Sequence, residues 1–152
     1  MDEKKYLELR DLVRERSAVY TIDQEFLVKF VNALERRINN VFGREHEVCT
    51  AGRMSGTKFI KDEYDVFGST LGFALQIEFH DSKKNALLTT HVDFIAEATV
   101  DTLKVTCKST NDWLDQPRAA ANTEEGQLAV VALLDKPVSE AVEEALRVPT
   151  LR

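Results

Sequence analysis

"STLGFALQIEFH", residues 69–80, decides the fold class. Leu71, Phe73, Leu75, Ile77 and Phe79 alternate with Gly72, Ala74, Gln76, Glu78 and His80, so one set faces a core and the other faces away from it. "DSKK" supplies a polar turn. "NALLTTHVDFIAEA" (85–98) then resumes the period of two, with Ala86, Leu88, Thr90, Val92, Phe94 and Ala96 inward. Past "TVDT", the run "LKVTCK" (103–108) turns Leu103, Val105 and Cys107 inward. Three such runs joined by short turns read as an antiparallel meander with one solvated face. A first turn at 81–84 sets Phe73 opposite Val92 and Leu71 opposite Phe94. A second at 99–102 sets Glu97 opposite Lys104 and Asp93 opposite Lys108, both opposite-charge pairs.

Upstream the period changes. Tyr6, Leu9, Leu12 and Val13 form an apolar stripe within 3–16. "TIDQE" (21–25) reads as a connection in which Thr21 or Asp23 caps a second helix. Phe26, Leu27, Phe30, Val31, Leu34, Ile38, Val41 and Phe42 then repeat at helical spacing until Gly43. Together these predict a helical hairpin. "EHEVCT" and "TKFIKD" are strand candidates around "AGRMSG", residues 111–126 read as a long loop, and "QLAVVALL" reads as a buried strand. "KPVSEAVEEALRVP" is a short helix that Pro149 closes. The expected fold is α+β over a single domain, 1–152: an N-terminal helical hairpin packed on an antiparallel β-sheet with a meander core, and a short C-terminal helix.

Composition narrows the function classes. Hydrophobic residues make up 43% and charged residues 30%, a balance that favours a folded globule. Lys and Arg number 20 against 26 Asp and Glu, for a net charge of −6, and no basic run exceeds two residues. Nucleic-acid binding, which draws on clustered positive charge, is therefore not expected. The start lacks a secretion-type apolar segment and no run of 18 apolar residues occurs, so the expectation is a cytoplasmic chain with no membrane contact. Cys49 and Cys107 belong to no Cys-x-x-Cys pair, and neither a metal site nor a cofactor is expected.

The glycine-rich "AGRMSGTKF" (51–59) has the wrong spacing for a phosphate loop, and a strand rather than a helix follows it. It reads as a hairpin loop presenting Arg53 and Lys58. His91 and Asp93 share a strand face, with His80 and Glu78 one strand away, but the expected register separates them and suggests an exposed polar face. No nucleophile motif occurs. These residues favour a non-enzymatic protein-binding or regulatory module, of adaptor, chaperone or immunity type, acting as a homodimer. Its contacts would come from Gln76, His91 and Ile95 on the sheet face, from Trp113 and Arg118 in the long loop, and from Arg53 and Lys58. The alternative is a small-molecule site or small enzyme with a pocket between the hairpin and the sheet, using Tyr20, Tyr64 and Cys107. Replacing Arg53 and Lys58 together by alanine is expected to leave the circular dichroism spectrum and melting temperature essentially unchanged. Loss of folding would place this stretch inside the structure.

Overall fold

A computed structural model describes residues 1–43 and 46–147 of the chain. Its helical half is one element, not two: α1 runs unbroken from Glu3 to Phe42. The expected hairpin is therefore corrected to a single 40-residue helix. "TIDQE" contains neither glycine nor proline, and both residues read as caps are otherwise engaged. The Thr21 hydroxyl donates back to the Ser17 carbonyl 3.0 Å away, the bond of a mid-helix threonine. The Asp23 carboxylate leaves the helix altogether and accepts from Arg118 Nη1 at 2.7 Å and Ser69 Oγ at 2.6 Å. The helix begins instead at Asp2, whose side chain accepts from the Lys5 N–H.

The α+β class with an antiparallel sheet is as expected, and the sheet is larger than the meander. Strands β1 (Cys49–Ser55), β2 (Lys58–Lys61), β3 (Asp65–Phe67), β4 (Thr70–His80), β5 (Ala86–Ala98), β6 (Thr102–Cys107) and β7 (Trp113–Pro117) form seven antiparallel strands. Their order is β2-β1-β4-β5-β6-β7, with β3 beside β4. Gly56, at φ 62°, takes the first position of the two-residue turn between β1 and β2, where an L side chain would be strained. "AGRMS" is thus strand, and the hairpin loop shrinks to Gly56 and Thr57.

The meander registers divide. Glu97 does lie opposite Lys104, as expected. Between β4 and β5, however, Phe73 faces Phe94 and Leu71 faces Ala96, two residues from the expected pairing. The first turn is longer than four residues: Asp81 Oδ1 accepts from the N–H groups of Lys83 and Asn85, and Lys84 adopts φ 65°. A bulge at Phe79/His80 adds the rest of the offset. An offset of two leaves every side chain on its expected face, except that the bulge leaves Phe79 40% exposed.

Downstream, two further expectations are corrected. Residues 111–126 are ordered: β7 is followed by a 3-10 turn at Arg118–Asn122 and the start of α2 (Glu124–Val131). "QLAVVALL" is α2 and a 3-10 turn (Ala132–Leu134), not a strand. Thr123 caps α2 by accepting from Gly126 N–H, with Glu124 and Glu125 in the first turn. Gly126 passes so close to the Ala120 carbonyl that a Cβ would overlap it. The C-terminal helix α3 (Asp135–Arg147) stands as read, and its expected stop at Pro149 falls outside the described residues.

The core lies between one face of α1 and the inner face of the sheet. Leu27, Phe30, Val31, Leu34 and Ile38 meet Leu71, Phe73, Leu75, Val92, Phe94, Leu103 and Val105, closed at one side by Ala121 and Val130. The Phe73 and Phe94 rings stack with centroids 5.2 Å apart. Polar side chains of α1 complete the edge of β1: Asn39 bonds Val48 N–H, Cys49 N–H and Cys49 C=O, and Glu35 accepts from Ala51 N–H. Asp23 is buried and Arg118 partly buried, so removing the carboxylate strips Arg118 of its partner, and Asp23→Leu is expected to cost about 1–3 kcal/mol in urea unfolding. Asp23→Leu combined with Arg118→Met should recover most of that loss, and strict additivity of the two would contradict the pairing.

Candidate functional site

The sheet's outer face gathers several of the residues expected to make contacts. Gln76 lies directly opposite His91, not Ala74 opposite His91 as the shorter turn implied. Gly72, Ile95, Thr106 and Trp113 form one cross-strand row, so Ile95 and Trp113 share this face with His91. The Trp113 ring is 59% exposed and lies under the Lys104 ammonium, 4.8 Å from the ring centroid. Arg53 pairs with Glu63 at 3.2 Å and Asp65 at 3.6 Å, while Lys58 is exposed at the hairpin tip. Arg118 is turned inward: it bonds Asp23 and the Thr99 carbonyl and stacks over Phe26. Its expected exposed contact is replaced by an internal tie.

A chain of polar contacts runs along β4 toward its end. His91 Nε2 meets Gln76 Oε1 at 3.0 Å, Gln76 Nε2 meets Glu78 Oε1 at 3.0 Å, and Glu78 Oε2 meets His80 Nε2 at 2.8 Å. As a carboxylate, Glu78 only accepts hydrogen bonds. It therefore sets the Gln76 amide with nitrogen toward itself and oxygen toward His91, whose Nε2 must carry a proton. It likewise holds a proton on His80 Nε2. Phe59 of β2 crosses over to stack on the His91 ring, with centroids 5.3 Å apart. The histidines and carboxylates that the expected register kept apart are thus linked, as a hydrogen-bonded file rather than a ring of ligands. Among the described residues no group of three or more His, Cys, Asp or Glu side chains is placed to hold a metal ion.

Where β4 runs past the end of α1, a cavity of about 430 Å³ opens. Ile38 and Phe42 of α1, Val48 and Ile77 wall one side; Val131, Leu134 and Val138 wall the other. Glu78 and His80 line it, as does His46, whose ring meets that of His80 edge to face at 4.3 Å. It lies between helix and sheet, as the alternative reading expected a pocket to, but none of Tyr20, Tyr64 or Cys107 lines it. Tyr64 donates to Asn32, Cys107 is wholly buried beside Ser109, and Tyr20 lies on the outer part of α1. Sequence reading missed the cavity because its walls come from three distant segments; only His80 signalled it, as a polar residue closing an apolar strand.

The third feature is the N-terminal half of α1. From Glu3 to Ile22, every residue but Arg10 is exposed, and burial begins only at Asp23. Tyr6, Leu9, Leu12, Val13 and Tyr20 nevertheless continue the apolar stripe, with Val13 64% and Leu12 51% exposed. No helix of the described residues is long and apolar enough to cross a membrane. Compared with known proteins, the chain matches no family model, no curated sequence and no solved structure.

Neither thiol is arranged for nucleophilic chemistry. Burial, reinforced by the nearby Glu35 carboxylate, pushes the Cys49 thiol from 9.0 up to about 12. The Tyr64 phenol is likewise raised from 10.0 to about 12 by burial, then by Glu35 and Asp62. Both acids are neutral when protonated, so the folded chain holds these protons more tightly than the unfolded one. Their stabilising contribution is complete below the unfolded values and lost as pH rises from 9.0 toward about 12. The urea midpoint should therefore fall across that range, and less steeply in Cys49→Ala and in Tyr64→Phe; unchanged slopes would remove this account.

Proposed function

We propose that this chain is a non-enzymatic protein-binding module that works as a homodimer, joined by the projecting half of α1. The single observation that carries the reading is the apolar stripe Tyr6–Leu9–Val13, left without a partner on a helix whose lower half is core. An arm from Glu3 to Tyr20 is about 27 Å long at helical rise. Most of a protein helix's stability comes from packing its apolar face, and along this arm that face is uncovered.

Charge selects the occupant as a second copy of the chain. Residues 2–16 hold five acidic side chains (Asp2, Glu3, Glu8, Asp11, Glu15) and five basic ones (Lys4, Lys5, Arg10, Arg14, Arg16). The arm is therefore neutral, and the whole charge of −6 lies on the rest of the chain. Within the arm, acids are in excess by one over residues 2–8 and bases by one over residues 10–16. An antiparallel pair sets each excess against its opposite and opposes the helix dipoles. It also keeps the two acidic bodies at opposite ends, where a parallel pair would bring them together.

Sedimentation equilibrium at about 100 μM is expected to give a dimer, and Leu9→Glu with Val13→Glu a folded monomer of unchanged melting cooperativity. Spin labels at position 11 on each copy should lie within about 20 Å of one another, the separation of two packed helices plus their labels. A wild-type chain that stays monomeric, or a double variant that stays dimeric, would overturn the proposal.

A further inference from the structure

We infer that the first half of β5 is a strand-addition site: it takes, antiparallel, an extended peptide segment of a partner protein with apolar side chains at alternate positions. The inference names a site and a ligand class for the protein-binding reading above, and does not rest on pairing through the arm. β5 runs from Ala86 to Ala98, yet β6 pairs only with residues 94–98, and the turn after it reaches Asp93 through the Lys108 N–H. On that side, residues 86–92 have no neighbouring strand among the described residues.

Alternation fixes which backbone groups face the opening. The Ala98 N–H donates to Ser69 on the β4 side, and the Asp93 carbonyl accepts on the β6 side. In an antiparallel strand the N–H and C=O of one residue point the same way, and successive residues alternate. Leu88, Thr90 and Val92 therefore bond to β4, and the N–H and C=O groups of Leu87, Thr89 and His91 face the opening. Those three residues are exposed, Leu87 by 71%. Such a row of donors and acceptors is a template for another strand, and proteins blunt it with charge, proline or brevity. The other edges follow that rule: β2 carries Lys58 and Lys61, β3 has 3 residues, and β7 has Asp115 and Pro117. "ALLTTHV" (86–92) has no acid, lysine, arginine or proline.

Two observations select a peptide over a second copy of the chain. First, α3 lies on β5. Strands pair about 4.8 Å apart, whereas packed helices need about 8–10 Å. Pairing two β5 edges about a two-fold axis would therefore crowd two α3 helices, each carrying Glu140, Glu143 and Glu144. A peptide brings no helix with it. Second, the apolar stripe of α3 outruns its cover: Val138 and Val142 are half-buried, whereas Leu146, one turn further, is 82% exposed. A strand added beside β5 widens the sheet on which this helix lies. Its inward side chains are therefore apolar, and its outward ones, beside Leu87, Thr89 and His91, are polar.

The probe is a capped heptapeptide alternating lysine and valine, with lysine at both ends, titrated by NMR into the wild-type chain. On binding, the amides of Leu87, Thr89 and His91 should gain about tenfold or more protection from hydrogen exchange, while those of Leu88 and Thr90, already bonded to β4, change little. N-methylation tests the orientation. In antiparallel addition the residues whose N–H groups face β5 carry their side chains on the outer face. Methylating the lysine nitrogens should therefore weaken binding about tenfold or more, and methylating the valine nitrogens should not. Thr89→Pro, which removes an N–H that faces the opening, should keep the fold and lose the peptide. The Leu9→Glu, Val13→Glu chain should bind as the wild type does, so failure of the arm and failure of the edge are told apart. No binding, or sensitivity to valine rather than lysine methylation, would overturn the inference. Protection of the same amides that grows with protein concentration in the absence of peptide would assign the edge to a second copy and overturn it as well.

Discussion

The pairing of buried Asp23 with the partly buried Arg118 is the constraint on which the arrangement of this fold depends. Asp23 is the first buried residue of α1, and a carboxylate reaches such a position only when its charge is answered there. Arg118 answers it from the end of β7, and in the same reach binds the Thr99 carbonyl in the turn between β5 and β6. Ser69, just before β4, supplies the second hydrogen bond to the carboxylate. Four segments far apart in sequence are thereby tied at one point. Below that point α1 is a core helix, and above it an arm.

That division explains why a helix of such length carries two kinds of surface along one stripe. From Leu27 to Ile38 the stripe is covered by the sheet, and its polar neighbours Asn39 and Glu35 satisfy the part of β1 that β2 does not pair. The helix substitutes for a neighbouring strand over that short edge. Beyond Phe42 the helix stops, but β4 continues to His80. The sheet therefore overruns its covering helix at one end, and α2 and α3 close only part of the gap. The cavity is the consequence of that mismatch in length.

Alternation was readable wherever a strand had one buried face, because the period depends only on the strand itself. Register was readable where short-range turn geometry was simple, as between β5 and β6, and was displaced by two where Asp81 built a longer loop. The apparent break at "TIDQE" misled because a capping residue and a buried ion-pair partner are the same residue type; only Arg118, 95 residues away, distinguishes them. "QLAVVALL" is apolar throughout, so periodicity cannot separate strand from helix, and the deciding signal was the Thr123 cap with its two glutamates. Gln116 hid β7 by placing a polar side chain on the inward face. Of the expected site residues, Gln76 and His91 are joined as neighbours through their shared face, whereas the cavity, assembled from three segments, left almost no trace in any one of them.

The arm and the cavity stand at opposite ends of one helix, with the packed core between them. Val13 and Ile38 are 25 positions apart on uninterrupted helix, about 37 Å at helical rise. Coupling over such a span requires an element with two discrete arrangements, and interruption of the helix by glycine, proline or a bulge is what would provide one. The described stretch has none of these, and its middle turns are locked to the sheet by Leu27, Phe30 and Leu34. Sites so separated and sharing no partner contribute additively to stability and binding. The two surfaces are therefore physically independent: pairing through the arm, as proposed above, would not depend on what fills the cavity.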